Sequence, residues 1–309
     1  MIWVSWRLQR TETMTAVAIL GLLAALLIPT GITMANAYHQ DGLSSCLALN
    51  VGPTCAQSIG EFQSRFQALN TLANWFTLIP GLIGVLLAAP FILDLEHGTY
   101  RLAWTQSITR GRWLFGKLAL PILAAILAGG ALILLFTWWR APQVNLNGRL
   151  DIGIYDTQGV VVVGYTLFAL GLALALGAVW RRSAVSLTVA FAGYFAMRVF
   201  VDYWLRDRLV SPVTMTWKGG AQPQFLYHAF IMSEYATIKG HHISTGGGGP
   251  LSGHSQLAAP GLGAGTTFHA VYEPASNFWP LQLTETGLFA GLAALLILFC
   301  AWWTHERVA

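Results

Sequence analysis

Charge is scarce in this chain. Asp, Glu, Lys and Arg supply 10% of its 309 residues, against about 25% in a soluble domain, which is too little to cover a soluble globule. Hydrophobic residues supply 55%, and membrane residence explains both figures. The positive excess, a formal net charge of +4, does not point to nucleic acid, because the Lys and Arg residues form short clusters between apolar segments.

Signatures of chemistry are missing as well. The run Gly111 to Lys117 fits the first part of a phosphate loop, G-x-x-x-x-G-K, but Leu118 follows where Ser or Thr would hold magnesium. Trp113, Leu114 and Phe115 fill the same loop, so this chain is not expected to hydrolyse ATP. The stretch Gly253 to Leu257 lacks the last glycine of a G-x-S-x-G elbow and lies in a Gly-rich segment rather than a strand-to-helix turn. There is no H-E-x-x-H, and the spacing of His241, His242, His254 and His269 fits no recognised metal site. No catalytic residue, metal ligand or cofactor is therefore expected here. The first apolar run begins after Arg7, Arg10 and Glu12 and reaches about Met34 without an A-x-A-like exit, which predicts a retained membrane helix rather than a cleaved signal.

What the chain does have is long apolar runs. A helix needs about 20 apolar residues to cross a hydrocarbon core of about 30 Å. Six segments qualify, near Met14 to Met34, Asn74 to Leu93, Leu114 to Trp138, Val160 to Val179, Ala184 to Trp204 and Leu283 to Trp303. The chain's 13 Trp, 9 Tyr and 16 Phe often stand at the ends of these runs, where amphipathic rings favour the headgroup layer. The fold class expected is an all-α polytopic membrane protein with six transmembrane helices.

Positive charge in short loops marks the cytoplasmic side. With the N-terminus inside, that side receives Arg7, Arg10, Arg101, Arg110, Arg112, Lys117, Arg181, Arg182 and Arg307, while the two short outer loops hold Arg65, Arg140 and Arg149. The long segment near 205–282 adds four more, but long loops weigh little. Both termini are thus expected in the cytoplasm, in a multi-pass protein of the cell membrane. The expected divisions are 1–204, with the first five membrane helices; 205–282, an outer region, disordered or loose around Gly246 to Gly249 and flanked by stretches able to pack as a small cap or a re-entrant piece; and 283–309, the sixth helix and tail.

Some individual residues stand out. Cys46 and Cys55 fall in the first outer loop, where an oxidising compartment favours a disulfide over two free thiols; Cys300 lies inside the last helix as packing. Arg198 and Asp202 are four apart near the outer end of the fifth helix, so they are expected to form an intramembrane charge pair. Gly129, Gly130, Gly171, Gly177, Gly287 and Gly291 suit close helix packing.

The connection from Asp94 to Leu118 is longer than a tight turn requires. Tyr100, Trp104 and Ile108 alternate there with Arg101, Gln106, Thr109 and Arg110, which suits a helix lying on the membrane surface with its polar side toward a partner. The pattern F-x-x-D-x-E-x-G-T-x-R-x-x-W-x-Q-S-x-T-R-x-x-W-x-x-x-K, from Phe91 to Lys117, resembles the signature of permease subunits of the ABC-2 class of ATP-binding-cassette transporters, actinobacterial type. The run W-x-x-W-R-x-x-R, from Trp3 to Arg10, resembles the amphipathic elbow before the first membrane helix of such subunits.

The resemblance implies an ATP-driven exporter in which two permease chains face each other around the substrate path. It also implies a separate cytosolic ABC ATP-binding subunit that supplies ATP and Mg. The connection near 95–112 would be the coupling helix seated in that subunit, with Glu96, Gly98, Thr99, Arg101, Gln106, Ser107, Thr109 and Arg110 as contact or hinge positions. The aromatic, weakly charged helices fit a hydrophobic drug-like or peptide cargo. Two alternatives stand beside this one: a membrane enzyme acting on lipid or peptide through the outer His-rich segment, and a non-transporting accessory or signalling protein using the same loop.

Overall fold

The structure is a computed structural model that describes residues 2–49, 53–101, 109–218, 230–238, 241–244 and 266–307. Its helices are α1 (Ile2–Gln40), α2 (Leu43–Leu49), α3 (Pro53–Arg65), α4 (Gln67–Asn74), α5 (Ile79–Glu96), α6 (Arg110–Asn147), α7 (Ile152–Tyr155), α8 (Val161–Trp180), α9 (Ser183–Phe200), α10 (Arg206–Leu209) and α11 (Phe278–Arg307). Six stretches are long and apolar enough to cross a membrane: Met14–Gln40, Gln67–Glu96, Arg110–Asn147, Val161–Trp180, Ser183–Leu205 and Ala275–Arg307. They coincide with the six runs expected, and the chain is a mostly helical, polytopic membrane protein.

The N-terminal run from Trp3 to Arg10, which precedes the first membrane span at Met14, is joined to it without a break. Helix α1 continues through it for 39 residues, about 58 Å at 1.5 Å per residue. Helix α6 is of similar length, 38 residues, so both outrun the bilayer. No breaker separates Trp3 to Arg10 from the apolar run, since the first proline of α1 is Pro29, and a continuous helix satisfies its own backbone.

Helix α8 is the axis of the bundle. It is the most deeply buried of the six membrane helices, and α11, α5, α9 and α6 all pack on it. Such proximity needs small residues where backbones meet. A Cβ on Gly84 of α5 would lie 2.3 Å from the Thr166 carbonyl oxygen, and one on Gly177 would lie 2.4 Å from Ile92. Gly129 and Gly171 also face neighbouring helices, whereas Gly130, Gly287 and Gly291 have no atom of the described residues in reach.

All described chain reversals belong to one of two ends. At the loop end lie the α5–α6 connection, the α8–α9 turn and the C-terminus of α11. The opposite, sheet end begins with α2, α3 and α4, where a disulfide joins Cys46 to Cys55 with Cα atoms 5.7 Å apart. Closing so short a loop removes roughly 2–3 kcal/mol of unfolded-state entropy. The double substitution Cys46→Ser/Cys55→Ser is therefore expected to lower the melting temperature of the detergent-solubilised protein by several degrees. An unchanged melt would mean the crosslink adds nothing to stability.

The stretch between α10 and α11 contains an antiparallel sheet that the sequence reading did not foresee. Its strands are β1 (Val213–Lys218), β2 (Phe230–Ile238), β3 (His241–Ser244) and β4 (Thr267–Glu273), in the order β1-β4-β2-β3. Burial alternates along β4, with Phe268, Ala270 and Tyr272 inward, the period of two that a one-sided sheet requires. Trp217 stacks on Phe268 at 5.4 Å between ring centroids. The stretch Gly246 to Gly249 lies outside the described residues.

Candidate functional site: two polar ends of the bundle

At the loop end, α5 stops at Glu96, and Gly98 turns the chain in the left-handed region, φ +71°, where a Cβ is unfavourable. Thr99 Oγ1 donates to Asp94 Oδ1 at 2.9 Å, and Asp94 pairs with Lys117 of α6, so the turn is fastened to the next helix. Tyr100 is buried beside Trp113, ring centroids 6.5 Å apart. Arg101 remains exposed, its guanidinium 5.9 Å from the Tyr100 ring. Thr109, extended at φ −64° and ψ 139°, precedes α6. Gln106 and Ser107 lie outside the described residues.

Three contacts tie this end together. The Ser183 backbone N–H, at the start of α9, donates to Glu96 Oε2 at 2.9 Å, which places a carboxylate at a helix N-terminus. Arg110 Nη1 donates to the His305 carbonyl at 3.5 Å, and Arg181 Nη2 to the Arg307 carbonyl at 3.4 Å. Cations thus meet the last carbonyls of α11. Glu96, Gly98, Thr99, Arg101, Thr109 and Arg110 therefore share one face with the α8–α9 turn and the C-terminus of α11.

The sheet end holds a larger polar assembly. Arg198 and Asp202 form an i,i+4 ion pair, 3.2 Å between Nη1 and Oδ1, but the pair is not isolated. Arg198 also reaches Asp156 at 2.9 Å and Glu285 at 3.1 Å. Arg206 reaches Asp156 at 2.6 Å, Asp202 at 2.7 Å and Glu285 at 3.2 Å. Glu285 is fully buried and accepts further bonds from the hydroxyls of Tyr155, at 3.1 Å, and Tyr165. Those two rings also form the floor: the Arg198 guanidinium sits 3.9 Å above Tyr165 and that of Arg206 4.4 Å above Tyr155, within cation–π range.

Electrostatics explains why the assembly holds. Burial by itself raises the pKa of Asp156, but Arg198 and Arg206 outweigh it and keep the carboxyl below its ordinary range. For Arg206, burial works against the charge, yet Asp156, Glu285 and Asp202 hold its pKa well above the usual arginine value. Burial, then the Glu285 charge, raises the Tyr155 pKa, so its phenol remains a donor. Beside this cluster, buried Gln282 of α11 accepts the Val161 N–H at 3.1 Å and donates to the Gln158 carbonyl at 3.1 Å, capping α8.

Asp156, Arg206, Glu285, Tyr155 and Tyr165 were not singled out from the sequence. Glu285 carried a usable signal, a carboxylate inside the sixth apolar run, which is costly unless paired. Asp156 carried none, since it lies in an irregular connection remote in sequence from its partners. A second polar group lies nearby: buried Arg140 donates to Gln143 Oε1 at 2.7 Å and to the Gly153 carbonyl at 3.0 Å. Of the histidines considered for a metal, His269 Nδ1 lies 3.1 Å from Thr216 Oγ1 and its ring stacks on Tyr235. His241 and His242 are residues of β3, and His254 lies outside the described residues. Among the described residues no group of three or more His, Cys, Asp or Glu has the arrangement of a metal site.

No curated protein and no solved structure matches this chain. One family model does, over residues 17–206, that of ABC-2 membrane transporter related proteins. That stretch spans the first five membrane helices, both reversals of the loop end, and Asp156, Arg198, Asp202 and Arg206. With this match and six helices long and apolar enough to cross a membrane, the chain belongs to the ABC-2 membrane transporter related family and is a membrane permease component of an ABC transporter, a kind of subunit that works with a cytosolic ATP-binding partner.

Proposed function

We propose that the chain is the membrane-spanning half of an ATP-driven exporter in the cell membrane, with the loop end and both termini in the cytoplasm. The observation that carries this reading is the α5–α6 connection. It presents exposed Arg101 and Arg110 while its stem is bonded to α6, α9 and the end of α11. A partner that pushes on this connection displaces three membrane helices together, as a coupling helix must.

Glu96, Gly98, Thr99, Arg101, Thr109 and Arg110, with Gln106 and Ser107 between them, then make up the docking element. ATP and Mg bind in the partner subunit, and closure of that subunit biases the permease between inward- and outward-facing states. Two permease chains enclose the path. Helices this poor in charge suit a hydrophobic drug-like molecule or peptide as cargo, and the positive charges of the loop end support the cytoplasmic assignment.

The test is co-purification from native membranes in mild detergent, with ATPase activity measured on the eluate. The wild-type chain is expected to retain a stoichiometric ATP-binding protein. The double reversal Arg101→Glu/Arg110→Glu is expected to lower its recovery by about tenfold or more, since like charges set against each other at an interface cost several kcal/mol. Recovery of the wild-type chain alone, without ATPase activity, would exclude the exporter reading.

A further inference from the structure

The sheet-end cluster contains a feature that charge pairing does not require. Residues Val201–Leu205, between α9 and α10, form a single π-helical turn, and Asp202 is part of it. Such turns are rare and concentrate at functional sites. They lie one residue of register away from an ordinary α-helix, and that one residue turns everything beyond it by about 100°.

What lies beyond is Arg206, the first residue of α10. Arg198 lies before the turn and keeps its place on Tyr165. A change of register in the turn therefore withdraws one guanidinium from Asp156 and Glu285 and leaves the other. The present arrangement is also incompletely satisfied. It opposes three carboxylates to two guanidinium groups, and Nε and Nη2 of Arg198 lack a well-directed hydrogen-bond acceptor, although Nη2 is close to Asp156. A buried polar network with unmet members has less to lose on rearrangement. The chain leads from α10 directly into β1 at Val213, so turning α10 also moves the start of the sheet.

From these three observations we propose that Val201–Leu205 is a π-to-α switch, and that it opens and closes the sheet end of the bundle by moving Arg206 off and onto Glu285 and Asp156. In the closed state Arg206 and Arg198 together bind α9, α10 and α11 to Asp156, in the connection between α7 and α8. In the open state α10 and the first strand swing away, and the ends of α8 and α11 become accessible to water. The reading goes beyond the exporter assignment, because the switch is a property of this chain whatever drives it.

A cysteine reporter tests it. Thr286→Cys places a thiol on α11 beside Glu285, at a half-buried position; the native cysteines do not interfere, because Cys300 is buried and Cys46 and Cys55 are disulfide-bonded. The reagent is a membrane-impermeant maleimide applied from the sheet-end side to the full chain in native membranes. Adding Arg206→Gln is expected to speed labelling roughly tenfold or more without nucleotide, since removing one partner of a buried ion pair disrupts it strongly. Where the ATP-binding subunit is present, trapping with ATP and vanadate is expected to speed labelling of the otherwise wild-type reporter.

Deleting exposed Tyr203 removes the extra residue of the π turn, keeps Arg206 in register and is expected to abolish that nucleotide response. Labelling of the Arg206→Gln chain at the parent rate would overturn the proposal, as would a nucleotide response that survives the deletion. If the deletion variant does not fold, the Arg206→Gln comparison alone decides. That comparison needs no partner, so failure of the switch and failure of the exporter reading give different results.

Discussion

Replacing Glu285 by Ala is expected to destabilise the protein by about 3–5 kcal/mol, the range found when one partner of a buried ion pair is removed. The carboxylate is fully buried and is the common acceptor of two guanidinium groups and two phenols. Without it, Arg198 and Arg206 face only Asp156 and Asp202, and the Tyr155 and Tyr165 hydroxyls lose their acceptor. Asp202→Asn is the contrasting case. Asp202 is the third carboxylate against two guanidinium groups and the most exposed of the three, with 20% of its side chain accessible. Its neutralisation is expected to cost about 1 kcal/mol or less, in the manner of a partly exposed pair. Thermal melts of the two variants in the same detergent measure the difference, and equal shifts would contradict the central place given to Glu285.

The second large effect is at Gly84, where alanine is expected to prevent normal packing of α5 on α8. The added Cβ would stand 2.3 Å from the Thr166 carbonyl oxygen, 2.9 Å from the Ala169 Cβ and 3.0 Å from the Leu170 nitrogen. Two of these atoms are backbone and cannot rotate away, so the helices must separate. Overpacking costs typically 1–3 kcal/mol and occasionally more, and here the upper end or beyond is expected, read as lost monodispersity on size exclusion and a lower melt. Gly130→Ala is the control. It has open space around it, and helix propensity favours alanine by about 1 kcal/mol, so it is expected to melt no lower than the parent. Similar losses for both would mean that helix crossing does not limit this position.

Much of the architecture was legible along the chain, and particular residues show why. The six crossings follow from local composition alone, because each needs only some twenty consecutive apolar residues. Glu96 to Arg110 stood out for the same reason, as a polar stretch with a distinctive order of residues between two such runs. The pairing of Arg198 with Asp202 was readable because four residues make one helical turn. The continuation of α1 through Trp3 to Arg10 was not, since nothing in the sequence marks whether a helix bends at the membrane surface. The sheet of β1 to β4 was obscured too, because β1 and β4, its paired neighbours, lie some fifty residues apart in the chain and β3 has only four residues, leaving little periodicity to recognise.

The sequence by itself determined that this chain lives in a membrane, how many of its runs are long enough to cross it, and which connection is long and polar between two of them, because these depend on neighbours in the chain. Only the tertiary structure decided that Asp156, Arg206 and Glu285 join Arg198 and Asp202, and that Glu96 reaches Ser183. Buried charge tolerates no solitary member, but which opposite charge it meets depends on how helices distant in sequence are packed around α8.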